Sequence, residues 1–448
     1  MPNTPGRTRS DPLAVGVFAG PWDSGHTSQD GAVLGFADAE RALHAALGAD
    51  RRFRIVELDL GLFLADDPAR ALSGVDLVYG NCGPLAALLL HLRQAAGLDF
   101  ALVREVRTLG WIGYAFQEYV AAGLQRPGDL CLHVSAYSCR VWSGVRPAAD
   151  RFFYPMLREA AAEAEVGRAG RRGLACGYFS RISADKGFDQ LAPIVGRLRD
   201  AGWPLARLLA CGPVEDMQLL QRCERALRAM GVEFTYHDEL DYRSAMRLMR
   251  SVDLVLFPSV SSFEAAGRVV LEAYQRGKPV VGSDYCASHD TLRPEFRIPL
   301  RFDGAASGGS AHAFPVARLA LERWQPPRPD DPCFLAAQCE RYRYRPDDVR
   351  QLLQPPGMDD GAGPASDVRM EWRFPRAGAR LVRDWCEQAW ERLRRSCRDR
   401  RDLLDLGGAF KRSLIAAGFD PPVSFYPAGS TSERNSSNLP DAARGISS

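Results

Sequence analysis

Two glutamates are the first residues of this sequence whose types and spacing suggest chemistry. Glu264 and Glu272 stand on either side of a small-residue corner that includes Ala266 and Gly267. A carboxylate that accepts hydrogen bonds from neighbouring hydroxyls can hold a sugar or a ribose. Eight helical residues span roughly 12 Å, which is about the separation between the two ends of a nucleotide-sugar. The alternative is an ordinary helix with one glutamate before its start and another on its face.

The corner between the two glutamates is predicted to bind an anion through its backbone. We expect a helix to start directly after Glu264, so that the N–H groups around Ala266, Gly267 and Arg268 have no partner inside the helix. Small side chains would let a phosphate approach these groups, and the helix dipole favours negative charge at this end.

Arg181 and Lys186 are the cations that could complete such a site. They lie five residues apart in a polar loop, 180–187, which follows an apolar run. If both point beyond the end of the strand, they would neutralise a diphosphate and stabilise it as it departs. Lys186 is one of only three lysines among 57 basic residues, which hints that an ammonium is required there. Solvated loop charges are the alternative.

The elements around Glu264 are predicted to be a strand, a loop, a helix and a second strand. Residues 252–257 form an apolar run typical of a buried strand, and a serine-rich turn, 259–262, follows. The helix would end near Arg276, because Gly277 suits the position after a helix and Pro279 prevents continuation. The loop then lies at the carboxyl end of a strand, where open parallel sheets bind ligands.

Alternating apolar runs and helical patterns predict a parallel, doubly wound α/β sheet in each half of the chain. In the first half, strands are predicted at 15–19, 53–58, 76–79, 101–106 and 130–134, and helices at 32–47, 85–96 and 112–122. In the second half, strands are predicted at 174–179, 206–210, 232–236 and 252–257, and helices at 215–230 and 242–250. The segments 152–155 and 158–173 are interpreted as the hinge between the two halves.

The run from Glu264 to Glu272, followed by AYQRGKPVV, resembles the E-x7-E signature of the retaining family 4 (group 1) glycosyltransferases. Gly177, Arg181, Lys186 and Gly187 resemble the diphosphate-binding loop of that family. The resemblance covers residues 173–284, whereas the N-terminal half matches only in architecture. It implies the GT-B fold, in which two Rossmann-like doubly wound domains face each other across a cleft.

This resemblance also implies a reaction and a set of roles. A sugar would move from a nucleotide-sugar donor to a small or soluble acceptor with retention of configuration, by a front-face mechanism. It implies neither a metal ion nor a cofactor, since the nucleotide diphosphate-sugar is itself a substrate. The implied catalytic residues are Glu264, Arg181 and Lys186. The implied donor-binding residues are Gly20, Gly212, Ala266, Gly267, Arg268, Glu272, Tyr236 and His237.

The sequence leaves the acceptor side of the site open. Many members of the family carry a histidine after an N-domain strand, but Arg107-Thr108 follows the predicted strand at 101–106 and Asn81-Cys82 follows the one at 76–79. Arg107, Glu118 or His26 could replace the histidine. Two other functions therefore remain: a non-catalytic nucleotide-sugar-binding or partner protein, and a GT-B enzyme of another class, such as a phosphorylase or an epimerase.

Composition limits the partners and the compartment. A net charge of +2 gives no electrostatic case for nucleic acid, and no apolar run reaches the length of a membrane span. Eleven scattered cysteines without a C-x-x-C pair favour a reduced, cytoplasmic protein. A homodimer is left open. The predicted organisation is a flexible leader (1–11), an acceptor-side domain (12–160), a donor domain (161–325), a C-terminal extension with a helix that packs back on the N-domain (326–426) and a disordered tail (427–448).

Overall fold

A computed structural model describes residues 11–19, 31–59, 63, 68–80, 83–106, 124–135, 138–139, 149–152, 173–238, 240–261, 264, 266–285, 287–292, 294–303, 316–329, 388, 391 and 395. These residues contain two parallel six-stranded sheets and one two-stranded hairpin. None of the helices found within them is long and apolar enough to cross a membrane.

The first sheet has the strand order β2-β1-β3-β4-β5-β6, and every pairing in it is parallel. Its central strands are mostly apolar, as is typical of parallel sheets that helices cover on both faces, whereas its two edge strands also carry charged residues. The strands are β1 (Leu13–Ala19), β2 (Phe53–Asp59), β3 (Leu77–Gly80), β4 (Ala101–Val106), β5 (Leu130–His133) and β6 (Ala149–Phe152). The helices described between them are α1 (Gly31–Gly48), α2 (Pro68–Ala71) and α3 (Gly83–Ala95).

The second sheet has the order β12-β11-β10-β7-β8-β9 and is also parallel throughout. Its strands are β7 (Leu174–Phe179), β8 (Leu205–Cys211), β9 (Glu233–His237), β10 (Leu254–Phe257), β11 (Val280–Ser283) and β12 (Arg297–Ile298). Its helices are α4 (Leu191–Asp200), α5 (Met217–Ala229), α6 (Tyr242–Arg250), α7 (Arg268–Gln275) and α8 (Ala287–Thr291). The hairpin that follows joins β13 (Leu300–Asp303) to β14 (Val316–Leu319).

Apolar faces hold each sheet to its helices. In the first domain, Leu43 and Leu47 of α1 pack with Val15 and Val17 of β1 in one buried cluster. In the second domain, Ile194 of α4 and other buried residues form a separate cluster between the helices and the sheet. Each large apolar side chain buried in this way stabilises the fold by about 1.5–3 kcal/mol. Two separate cores on two separate sheets define two domains.

Each sheet has a point where the order of its strands reverses. In the first sheet this point lies between β1 and β3, and in the second it lies between β7 and β10. The chain leaves the two central strands in opposite directions at such a point, so a crevice opens outside their carboxyl ends, where open α/β sheets bind ligands. The loops that hold Lys186 and Glu264 follow β7 and β10, so both lie at the reversal point of the second sheet.

The two domains meet near these reversal points. Arg268, the first residue of α7, donates a hydrogen bond of 2.6 Å to Asp38 of α1. Helix α1 follows β1 and helix α7 follows β10, so the contact joins the carboxyl sides of the two sheets. The predicted fold class is therefore confirmed: two Rossmann-like domains face each other in a GT-B fold.

Some local predictions were wrong. Phe152 is the last residue of β6 and pairs with β5, so it does not belong to the hinge. Strands β6 and β12, the short helices α2 and α8 and the β13–β14 hairpin were not predicted, because elements of two to five residues carry too little periodicity. Residues 1–10 of the predicted leader, the 153–155 and 158–172 parts of the hinge, the helix at 112–122, the tail and most of the predicted C-terminal extension with its helix lie outside the described residues. The domain boundaries stay a prediction.

Candidate functional site

Two glycines hold the loops of the candidate site against neighbouring backbone. Gly187 has φ +69°, and a Cβ at this position would collide with the carbonyl of Pro258, directly after β10. Gly212 has φ +146°, and its Cβ would collide with the carbonyl of Ser180. Only glycine combines these φ values with such close contact. The loop after β7 is therefore packed against both the β10 and the β8 loops.

Lys186 and Glu264 form an ion pair between the loops after β7 and β10. Lys186 Nζ lies 2.7 Å from Glu264 Oε2, and the two side chains are 15% and 14% exposed. Glu264 Oε2 also accepts a hydrogen bond from Ser259 Oγ at 3.2 Å, and Oε1 accepts one from the Gly267 N–H at 3.2 Å. The carboxylate thus accepts hydrogen bonds from an ammonium, a hydroxyl and a backbone amide next to the start of a helix. These donors form an anion-binding site that Glu264 itself occupies.

The helix after Glu264 begins later than the sequence predicted. Gly267 adopts a left-handed conformation (φ +58°, ψ +51°) at the N-cap, and α7 starts at Arg268. Glu264 therefore lies four residues before the helix, so a separation of roughly 12 Å from Glu272 no longer follows from the helical rise. The Gly267 N–H donates to the Glu264 carboxylate, which lies outside the helix.

Arg181 points to acidic side chains other than Glu264. Its guanidinium binds Asp185 at 3.0 Å and Glu215 at 2.5 Å, and its side chain is 40% exposed. Burial works against ionisation of Asp185, but a hydrogen bond from Ser183 and the charge of Arg181 outweigh burial and lower the pKa of Asp185 below its ordinary value. Arg181 and Lys186 therefore pair with different carboxylates in this structure.

Glu272 lies in a buried cluster with Arg268 and Asp38. Glu272 is 5% exposed. Its Oε1 accepts a hydrogen bond of 2.6 Å from Arg268 Nε, and Arg268 Nη2 donates to Asp38 Oδ2 at 2.6 Å. The guanidinium carbon of Arg268 also lies 5.7 Å from the centre of the Tyr242 ring. One arginine thus links the predicted ribose-binding glutamate to the other domain.

The residues predicted near the base also come together. The Tyr236 hydroxyl donates to the carbonyl of Gly212 at 3.0 Å, and the Gly212 N–H donates to the carbonyl of His237 at 3.4 Å. These residues lie at the carboxyl ends of β8 and β9, so the loop after β7 separates them from Glu264. The two ends of the predicted donor site are therefore built by different loops on the same edge of the sheet.

The other predicted site residues divide into two groups. Ala266 is half-buried in the bend before α7 and contributes its backbone. The acceptor-side and first-loop residues lie outside the described part of the chain: Gly20, His26, Arg107 and Glu118. Within the described part there is no group of three or more His, Cys, Asp or Glu side chains that could hold a metal ion.

Three residues were not singled out from the sequence. Asp38 is one of several charged residues on α1, and its partner lies 230 positions away, so no local pattern marks it. Ser259 belongs to a serine-rich turn that was predicted without a role. His133 is the last residue of β5, fully buried, with Nδ1 3.2 Å from Ser138 Oγ. A histidine at the carboxyl end of a predicted strand was a signal that could have singled it out.

One segment of the chain matches the model of a known family. Residues 173–299 match the family model described as Glycosyl transferases group 1. This segment runs from β7 to β12 and contains both loops that form the Lys186–Glu264 pair. The match indicates similarity to a group 1 glycosyltransferase domain over this segment, and the remaining 321 of the 448 residues lie outside it. No curated protein sequence matches the chain.

Three solved structures are among those that match the chain. HepE of Anabaena, in complex with UDP and glucose, is 13% identical with a TM-score of 0.43, over 90% of this chain and 100% of that one. A sucrose-phosphate synthase from Thermosynechococcus elongatus is 17% identical with a TM-score of 0.42, over 90% and 100%. A glycosyltransferase from Rickettsia africae is 11% identical with a TM-score of 0.45, over 90% and 99%. Identities this low give no residue-by-residue correspondence.

Proposed function

We propose that this protein is a retaining glycosyltransferase that moves a sugar from a nucleotide-sugar donor to a small or soluble acceptor. The observation that carries the proposal is the anion-binding site formed by Lys186, Ser259 and the Gly267 N–H, which lies at the strand-reversal point of the group 1 domain. A diphosphate has the charge and the acceptor oxygens to replace the Glu264 carboxylate on these donors.

A diphosphate that displaces the Glu264 carboxylate would leave it available to bind another part of the donor. Once a diphosphate occupies Lys186 and the Gly267 N–H, Glu264 is free to accept hydrogen bonds from the hydroxyls of the donor sugar. In the front-face reaction that we propose, the bond from the sugar C1 to the diphosphate breaks, and the acceptor oxygen bonds to C1 on the same face. The acceptor proton passes to the departing diphosphate oxygen. The protein then contributes positioning and charge stabilisation rather than a nucleophile.

The remaining roles are those that the resemblance to the group 1 glycosyltransferases implies. Glu272 would bind the ribose, and Tyr236 and His237 would lie beside the base. Arg181 would assist at the diphosphate after exchanging Asp185 or Glu215 for a phosphate oxygen. We further propose that the reaction needs no divalent metal and takes place in the cytoplasm. The acceptor would bind on the N-domain side, where His26, Arg107 and Glu118 are the candidate contacts.

Ligand-induced thermal stabilisation tests the donor site directly. Wild type, Lys186→Ala and Glu272→Ala would be heated with UDP, GDP, ADP, dTDP and their glucose or mannose derivatives. A ligand at about 100 times its Kd should stabilise the protein by roughly 2.7 kcal/mol. The proposal expects a shift with one nucleotide class that both substitutions reduce. A panel without any shift for wild type would overturn the donor-site assignment.

Turnover and stereochemistry test the chemistry. With the donor known, transfer to a panel of small acceptors would be followed by nucleotide release, and proton NMR would give the anomeric configuration of the product. A product with inverted configuration would refute the front-face mechanism. Nucleotide binding that survives in Glu264→Ala, with no transfer by wild type to any acceptor, would favour a non-catalytic binding protein.

A further inference from the structure

Asp38 is the residue of the first domain that reaches the candidate donor site. It is 3% exposed, and its Oδ2 accepts a hydrogen bond of 2.6 Å from Arg268 Nη2. Both members of this pair are deeply buried, with side-chain exposures of 1% and 11%. They are 230 positions apart and belong to different domains, so the pair forms only when the two domains meet.

Arg268 binds Glu272 as well as Asp38. Its Nε donates to Glu272 Oε1 at 2.6 Å, while Nη2 is held by Asp38. Burial disfavours the charged guanidinium, but the carboxylates of Glu272 and Asp38 outweigh burial and raise the pKa of Arg268 above its ordinary value. Two carboxylates on separate nitrogens of a planar guanidinium fix its orientation. The position of Glu272 Oε1 therefore depends on a residue of the other domain.

We propose that Asp38 is a positioning residue that orients Glu272 through Arg268, so that the ribose end of the donor site is complete only when the two domains are closed. This inference rests on the proposed donor site. If closure improves the hold on the donor, then by linkage the donor favours the closed form by the same factor. The bound nucleotide would thus draw the acceptor-side domain onto the sugar.

Asp38→Asn is the test substitution, because asparagine keeps the shape and one acceptor oxygen but removes the charge. Arg41→Gln is the matched control. Arg41 also pairs with Asp38, at 3.2 Å, but it lies on the same helix and its side chain is 59% exposed. The probe is whichever of UDP, GDP, ADP and dTDP stabilises wild type most. We expect Kd for this probe to rise about tenfold in Asp38→Asn, since hydrogen bonds to charged groups are roughly twice as strong as neutral ones. It should stay at the wild-type value in Arg41→Gln.

Further measurements separate positioning from simple damage to the fold. In transfer assays, Asp38→Asn should raise the donor KM while kcat at saturating donor is largely kept, and Asp38→Glu should recover part of the affinity. A substitution that merely unfolds part of the protein would lower kcat with an unchanged KM. In small-angle scattering, free Asp38→Asn should have a larger radius of gyration than free wild type.

The outcomes distinguish this inference from the proposed function. If wild type binds the probe and Asp38→Asn binds it equally well, the positioning role is overturned and the donor site stands. Equal weakening in Asp38→Asn and Arg41→Gln would also overturn it, because the effect would then come from α1 alone. If wild type binds no nucleoside diphosphate, the proposed function fails, and the positioning role fails with it.

Discussion

Replacing Glu264 by glutamine should tighten the binding of a nucleoside diphosphate while it slows sugar transfer. The Glu264 carboxylate holds Lys186 at 2.7 Å and accepts the Gly267 N–H at 3.2 Å. A ligand without a sugar must break these contacts and gives the carboxylate nothing in return. Glutamine keeps the size of the side chain but removes the charge, so the cationic site becomes easier to occupy.

The size of the effect follows from the geometry of the pair. Opposite unit charges 2.7 Å apart attract by roughly 1.5 to 6 kcal/mol for effective dielectric constants between about 80 and 20. Renewed hydration of both groups offsets most of this when the pair separates, because each side chain retains some exposure. We therefore expect a net gain of about 1.4 kcal/mol, which is a tenfold lower Kd for the nucleoside diphosphate.

Titration calorimetry would measure this Kd for wild type, Glu264→Gln and a control, Glu224→Gln. Glu224 pairs with Arg228 at 2.7 Å on the surface of α5, so its substitution should leave Kd unchanged. With the nucleotide-sugar, the gain should shrink, since the glutamine amide accepts less strongly from the sugar hydroxyls. Transfer at saturating donor should fall by roughly 100-fold. A Kd for the nucleoside diphosphate that is unchanged or raised in Glu264→Gln would refute the reasoning that this carboxylate occupies the anion site.

Three other substitutions or conditions test the local structure. Gly187→Ala should lower the free energy of unfolding by more than about 3 kcal/mol, through left-handed strain and a backbone collision. Gly277→Ala is the control, since Gly277 has φ +64° with open space around it, and its loss should be about 1 kcal/mol. Urea denaturation would compare the two variants, and equal losses of free energy of unfolding would contradict the collision at Gly187. The carboxylate of Asp185 has a pKa below its ordinary value of 3.8, so its stabilising contribution is complete above about pH 4 and is lost as the pH falls further. Asp185→Asn should therefore flatten the dependence of the free energy of unfolding on pH in that window. Parallel pH profiles of wild type and Asp185→Asn would contradict this contribution of Asp185. Burial raises the pKa of Cys176 and of Cys223 to about 12, so neither thiol should react with iodoacetamide at pH 8 in the native protein, and peptide mass spectrometry that finds rapid labelling would show that the core opens.

Most strands and longer helices were predictable because apolar runs and helical periodicity mark them locally. Strand β4 was predicted at its observed bounds, and so was α6, Tyr242–Arg250. Helix α6 also has a local start signal, since the Asp241 side chain accepts from the Ser244 N–H at 3.0 Å. Such signals lie within a few residues of the element that they define. Prediction of these elements therefore needs no knowledge of the tertiary fold.

The start of α7 was not predictable because no local sequence signal marks it. Two alanines after Glu264 favour a helix by propensity, yet Gly267 takes a left-handed conformation that delays the helix to Arg268. This bend lets the Glu264 carboxylate turn back onto the Gly267 N–H and Lys186. Lys186 and Glu264 are 78 positions apart in the sequence. The residue at which α7 begins therefore depends on tertiary structure that the local sequence does not encode.

The pairing of each cation with its carboxylate also could not be predicted from the sequence. The residue types together with the family resemblance selected Arg181, Lys186, Glu264 and Glu272 as candidates. They do not determine which cation meets which carboxylate, because several opposite charges lie within reach on the same sheet edge. The structure pairs Lys186 with Glu264, and it places Arg181 with Glu215 and Asp185 instead.

This pairing carries a consequence for ligand selection. Each proposed diphosphate-binding cation already has a carboxylate partner: Lys186 has Glu264, and Arg181 has Asp185 and Glu215. An anion that displaces a carboxylate leaves that carboxylate without a donor, which is costly for a partly buried charge. A nucleotide-sugar avoids this cost, because its diphosphate takes the cation while its hydroxyls donate to the released carboxylate. Inorganic diphosphate offers no such hydroxyls, so the site should discriminate against it even though the charge is the same.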